Sequence, residues 1–220
     1  MRQFILVAAV VATATVCPST DVSAQEKGRI LVQAGPIYNI PTGRFAGTDG
    51  TLSGIPGTGF ATSGIGYGAR VMFPISRLIS FYAEWNQPGF GTDVDAILTS
   101  LGIPTDIGFE VDFRWRIRST GVGLRLNPPL EGWFRPYLQA GMARYRGELE
   151  IVQDVYKSTE RLEVSTSASF GGGLALPVGP VVLEAGARYH SVRFKVSGQT
   201  FNWPARWIEA GLTLTFGIAL

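Results

Sequence analysis

The sequence predicts an all-β protein, an eight-stranded antiparallel up-and-down barrel that crosses a membrane. Three observations point there. Eight segments alternate polar and apolar residues with a period of two, as strands with two unlike faces do. The connections between them alternate in length, short then long, as in transmembrane barrels. On most of these strands, charged residues and glycines share one face while large apolar residues fill the other.

The strands are expected at about Arg29–Tyr38, Phe60–Phe73, Leu78–Asn86, Ile107–Leu126, Phe134–Glu148, Leu162–Leu176, Val181–Phe194 and Ala205–Ile218. An even count suits closure of an antiparallel sheet. "PISR", "NPPLEGW" and "PVGP" are short connections rich in turn formers. Asn39–Gly59, Gln87–Asp106, Leu149–Arg161 and Lys195–Pro204 are the longer ones, expected together on the extracellular side.

In the first strand, Pro36 cannot donate to a ladder, so a bulge or the ladder's end is expected there. In the second, Gly64, Gly66, Gly68 and Arg70 oppose Ile65, Tyr67, Ala69, Val71 and Phe73. The third places Glu84 inward. The fourth opens "FEVDFRWRIRSTG". Its even positions Glu110, Asp112, Arg114, Arg116 and Arg118 oppose Phe109, Val111, Phe113, Trp115 and Ile117. An Arg facing lipid near the midplane costs about 2–4 kcal/mol, so the expectation is charges inward and aromatics to lipid. Further on, Gly121, Gly123 and Arg125 are odd, which implies a β-bulge near Arg118–Gly121.

The fifth strand turns Leu138, Ala140 and Met142 to lipid. The sixth sets Glu163, Ser165, Ser167, Ser169, Gly171 and Gly173 inward. The seventh does so with Glu184, Gly186 and Arg188, the eighth with Glu209, Gly211, Thr213 and Thr215. Long charged side chains in a narrow bore need empty neighbours, and glycine supplies them. The expected lumen residues are therefore Arg70, Glu84, Arg114, Arg116, Arg125, Glu184, Arg188 and Glu209. An eight-stranded barrel has just enough room for such side chains, and pairing of the charges would plug it. The sharper alternative is a gate in which pairs exchange partners. Around the last hairpin, Glu209 should stand opposite Arg188–His190.

Composition bounds the setting. Phe4–Val16 is an apolar run behind Arg2, and "VSA" at Val22–Ala24 offers small residues for cleavage. Met1–Ala24 reads as a secretory signal peptide, leaving 25–220 as one barrel domain. A lipoprotein reading would use Cys17, behind a bulky Val16. The remainder holds no cysteine, so no disulfide framework supports it. The net charge of +2 makes no case for nucleic acid. Sixteen Arg against three Lys points to paired cations, for which the guanidinium fork is suited.

The strand and loop order, with "RPYLQAGMARY" (Arg135–Tyr145) and "LEAGARYHSV" (Leu183–Val192), resembles the small eight-stranded outer-membrane β-barrels of the OmpA/OmpX-like group. The resemblance implies a Gram-negative outer membrane, contact with its lipid and lipopolysaccharide, the outer-membrane assembly machinery as a partner, and a structural or surface role without a cofactor. The chain departs from the group at its end, where "TLTFGIAL" carries Phe216 four residues before the terminus. Some barrels of this kind deacylate lipid A with a His and a Ser two apart facing lipid. Here His190 and Ser191 are adjacent and point to opposite faces, and this is the only His. A narrow channel for ions or small apolar molecules is the main alternative, and a soluble lipocalin-like binder a further one. Arg144 and Arg146 share the lipid-facing parity at the loop end of their strand. Either the strand has left the membrane there, or they meet lipopolysaccharide phosphates. "TDVDAILTSLG" predicts a short helix behind a Thr/Asp cap, resting on the rim.

Overall fold

The computed structural model describes residues 29–46, 60–100, 104, 111–129, 133–153, 156–195 and 202–219. The strands are β1 (Arg29–Thr42), β2 (Ala61–Pro74), β3 (Ile79–Gln87), β4 (Gly89–Thr92), β5 (Val111–Leu126), β6 (Arg135–Gln153), β7 (Tyr156–Arg161), β8 (Ser165–Val178), β9 (Val181–Lys195) and β10 (Asn202–Ala219). They make eight staves. β3 and β4 run end to end between β2 and β5, and β7 and β8 run end to end beside β6. Every neighbouring pair is antiparallel, and β1 pairs β10, which closes the barrel.

The short turns follow their sequences. In "PISR", the Ser76 hydroxyl accepts from the backbone N–H of Leu78 and Ile79 at 3.2 and 3.1 Å. Gly179 takes φ +59°, a conformation that suits glycine in a tight turn. The helix α1 (Val94–Ser100) stands where the cap predicts, with the Ala96 N–H donating to Asp93 Oδ1 at 3.0 Å.

Three expectations about the strands need correcting. Pro36 makes no bulge. Pairing with β10 lapses at Gly35 and Pro36 and resumes in the same register at Ile37, while β2 stays paired throughout. The Leu149–Arg161 connection is largely a hairpin of β6 and β7, because Glu148–Val152 keeps the period of two and finds partners on β7. And β5 contains no bulge: it pairs one-for-one with β6 from Val111 to Leu126.

That unbroken register fixes one parity for β5. Trp115, Ile117, Ser119 and Arg125 are buried inward, while Arg114, Arg116 and Arg118 are exposed outside. Arg114, Arg116 and Arg118 therefore point out, contrary to the reading above. The cost argument assumed lipid at their height. From Leu126 to Arg118 the chain climbs eight residues, about 27 Å of strand, or about 20 Å along the normal at a tilt of about 40°. That nearly exhausts an apolar band about 25 Å tall.

The outer surface agrees on this stave and on three others. Val122, Leu124 and Leu126 lie below Arg118 on β5, and Leu138 and Met142 lie below Arg144 on β6. Leu212, Leu214 and Ile218 lie below Arg206 on β10, and Ile65, Tyr67 and Phe73 below Ser63 on β2. Large apolar side chains exposed in a belt of this shape are what a lipid-facing wall presents. The aromatics Tyr38, Tyr67, Trp85, Trp133 and Phe134 are among its exposed members.

Candidate functional site in the barrel interior

The interior is layered. At the short-turn end, Arg125 Nη1 donates to Glu184 Oε2 at 2.6 Å, and Thr215 Oγ1 donates to Glu184 Oε1 at 2.8 Å. Arg125 Nε also donates to Asn127 at 2.8 Å, and its guanidinium lies 3.8 Å over the Tyr137 ring. A cavity of about 40 Å³ lies here, lined by Met72, Ser80, Arg125, Glu184 and Thr215 among others, with room for only a few waters.

The middle layer holds two Arg and two Glu. Arg188 Nη1 reaches Glu84 at 2.5 and 2.7 Å, and its Nη2 reaches Glu209 at 2.9 Å. Arg70 donates to Glu84 Oε2 through Nη2 at 2.9 Å and to Gln139 through Nη1 at 2.6 Å. β9, which carries Arg188, and β3, which carries Glu84, are four staves apart in a ring of eight. Arg188 therefore crosses the bore. Both charged layers are neutral, with two Arg against two Glu and one against one. All six charged residues are buried, and buried charge persists where every member is paired.

Glycines do make room here, though for tyrosines more than for arginines. A Cβ on Gly141 would lie 2.5 Å from the Tyr82 hydroxyl, and one on Gly173 would lie 2.7 Å from the Tyr137 hydroxyl. Tyr82 in turn lies under Arg70, with the guanidinium 4.4 Å from the ring centre.

Above the charges sits an aromatic cap. Trp207 stacks on His190 at 4.7 Å, and Phe45 packs edge-on against Phe90 at 5.0 Å and Trp115 at 5.6 Å. Tyr145, Ile117, Val192 and Phe194 complete a continuous buried cluster. Phe45 arrives from a 3-10 turn, Gly43–Ala46, that follows β1 and starts from Gly43 at φ +59°. His190 joins the layers: its Nδ1 lies 2.8 Å from the Tyr145 hydroxyl, and its Nε2 lies 3.3 Å from Glu209 Oε2 without the alignment of a hydrogen bond.

Of the expected lumen residues, Arg70, Glu84, Arg188 and Glu209 meet in one cluster, and Arg125 and Glu184 meet in another. Arg114 and Arg116 do not join them. Both face outward, where Arg116 pairs with Glu150 at 2.9 Å. Lys157 also pairs with Glu150, and its hydrogen bond leads the causes that hold this carboxyl below its usual range. Glu163 is exposed as well, at the break between β7 and β8. Glu110 lies outside the described residues. Arg144 and Arg146 face outward beside Arg118.

Sequence reasoning missed Gln139, Tyr145, Trp207 and Phe45. Parity offered the first three, since Gln139 and Tyr145 oppose Leu138 and Met142, and Trp207 shares the parity of Glu209. Phe45 follows its strand in a turn, where no periodicity marks it. His190 points inward and Ser191 does not, so they form no His–Ser pair on the lipid side. Ser169 stands opposite His190 on β8, yet the described ring contacts of His190 go to Tyr145, Trp207 and Glu209. Among the described residues no group of three His, Cys, Asp or Glu could hold a metal ion.

A closed eight-stranded wall, apolar outside and polar within over the same height, defines a class: this chain has the fold of the small eight-stranded outer-membrane β-barrels. No protein-family model matches it, and no curated protein matches it in sequence. Solved structures do match in shape. Neisserial surface protein A aligns with a TM-score of 0.55 at 17% identity, over 86% of this chain and 99% of that one. The outer membrane protein OprG from Pseudomonas aeruginosa aligns with a TM-score of 0.54 at 11% identity, over 91% and 100%. Ail, the attachment invasion locus protein of Yersinia pestis, gives 0.52 at 12%, over 88% and 100%. At such identities the likeness is one of fold.

Proposed function

We propose that this chain is an integral outer-membrane protein with a structural or cell-surface role, not an enzyme, and that its lumen is a closed plug. The observation that carries the plug is Arg188. It spans the bore to Glu84 while holding Glu209 on the neighbouring stave, and the aromatic cap fills the bore above it. Among the described residues, two charged layers and one apolar layer leave no continuous polar path for an ion. Two of the structural relatives are named as a surface protein and an attachment protein, which supports a role on the outside of the cell. Insertion would depend on the outer-membrane assembly machinery.

The test is the purified, refolded chain in planar bilayers, with and without lipopolysaccharide. Wild type should conduct next to nothing, and the double variant Glu84→Ala/Trp207→Ala, which opens both the charged layer and the cap, should conduct measurably. Steady conductance in wild type would favour the channel reading. That reading draws on buried polar atoms without partners, Asn39 Oδ1, Asn86 Nδ2 and Ser169 Oγ, which a file of water could satisfy.

A further inference from the structure

Arg118 and Arg146 stand directly opposite one another on the outer face of β5 and β6, and the next pair below is Thr120 and Arg144. All four side chains are exposed. Like charges directly across a ladder destabilise a sheet. Among the described residues Arg118, Arg144 and Arg146 make no ion pair: Glu148, one tier up, pairs with none of them, and Glu150, two tiers up, is held by Arg116 and Lys157. Beneath them the same two strands are apolar. Val122 pairs with Met142, Leu124 with Ala140 and Leu126 with Leu138, and the larger side chains are about half exposed or more.

We propose that Arg118, Arg144 and Arg146 form a clamp for a lipid phosphate of the outer leaflet, that of lipopolysaccharide. A phosphate monoester supplies the negative charge that these guanidinium groups lack, and guanidinium binds it in a bidentate fork. The ladder of Val122, Leu124, Leu126, Leu138 and Met142 then receives acyl chains hanging from the same molecule. A water-soluble phosphate would use the arginines and ignore the ladder. The choice of leaflet rests on the outer-membrane reading, with the long connections on the cell exterior.

The experiment uses the full refolded chain in phosphatidylcholine vesicles, titrated with lipopolysaccharide while thermal unfolding is followed. Wild type should be stabilised as lipopolysaccharide is added. The triple variant Arg118→Gln/Arg144→Gln/Arg146→Gln should fold in phosphatidylcholine as wild type does, yet need at least tenfold more lipopolysaccharide for half the effect. Arg77→Gln, in the turn at the opposite end, should respond as wild type. Dephosphorylated lipopolysaccharide and inorganic phosphate should each do little. Equal responses from wild type and the triple variant would overturn the clamp. So would equal stabilisation by dephosphorylated lipopolysaccharide, by inorganic phosphate or by phosphatidylglycerol. If the triple variant fails to fold, the single variant Arg118→Gln carries the test, with a smaller shift in the same direction. Failure of wild type to enter bilayers at all would strike at the membrane-barrel reading instead.

Discussion

The lower and upper halves of this barrel are built on opposite polarity. Near the short turns, charge lies inside and apolar side chains outside: Arg125 faces in on β5, and Leu124 faces out. Ten residues up the same strand the arrangement inverts, with Trp115 inside and Arg116 outside. The parity never changes between them. Only the surroundings do. Where lipid meets the wall, apolar residues must face out. Above the lipid the wall meets water and headgroups, and the ordinary hydrophobic effect drives the aromatics inward. The lipocalin-like polarity weighed from sequence is thus present, but only in the upper half.

Two substitutions of similar size test the halves separately. Glu84→Ala leaves Arg70 without its carboxylate and Arg188 with one of two, and should cost about 3–5 kcal/mol, the usual effect of breaking a buried pair. Trp207→Ala opens the aromatic cap and should cost about 3–5 kcal/mol, as for an aromatic in a soluble core. Denaturant unfolding of the refolded chain in detergent or lipid measures both. A negligible cost for Trp207→Ala would mean that the upper half is held by its strands and not by its cap.

A smaller effect locates the boundary. Leu124→Arg should cost about 2–4 kcal/mol near the midplane, whereas Thr120→Arg, four residues higher on the same face, should cost about 0–1 kcal/mol. Equal costs would move the lipid edge above Arg118. Smaller again is the coupling of Arg188 and Glu209. A double-mutant cycle should return about 0.5–3 kcal/mol, and a value near zero would show that Glu84 alone satisfies Arg188.

The smallest effect belongs to Glu150, covered by Arg116 and Lys157 on the outer face of the upper half. Its carboxyl titrates below the ordinary value of 4.5. Its contribution is therefore complete above that pH and is lost as pH falls through the lowered value. The acid-induced fall in melting temperature should be slightly smaller in Glu150→Gln than in wild type.

The same contrast explains what could be read from the sequence. Period two says that a strand has two unlike faces and not which face is inside. In the lower half the glycines and the cost of charge in lipid decided the matter, so Arg70, Glu84, Arg125, Glu184, Arg188 and Glu209 were legible. In "RWRIRS" the alternation is just as clean, yet choosing a face required the height of the membrane edge, which no local pattern carries. The inferred bulge came from forcing one polarity on a strand that has two. Phe45 was illegible for another reason: it sits in a turn, and its burial is decided by residues distant in sequence, Phe90, Trp115 and Trp207.

Arg188 has a mechanical meaning besides its electrical one. A barrel wall one strand thick is a thin shell, and a thin shell yields most easily by flattening from a circle to an oval. Lateral pressure in a crowded membrane pushes toward that flattening. A rod fixed between opposite points of the rim acts as a spoke, resisting both lengthening and shortening of that diameter. With Glu84 at one end and its own strand at the other, Arg188 braces the barrel at mid-height, between the Arg125–Glu184 pair below and the aromatic cap above.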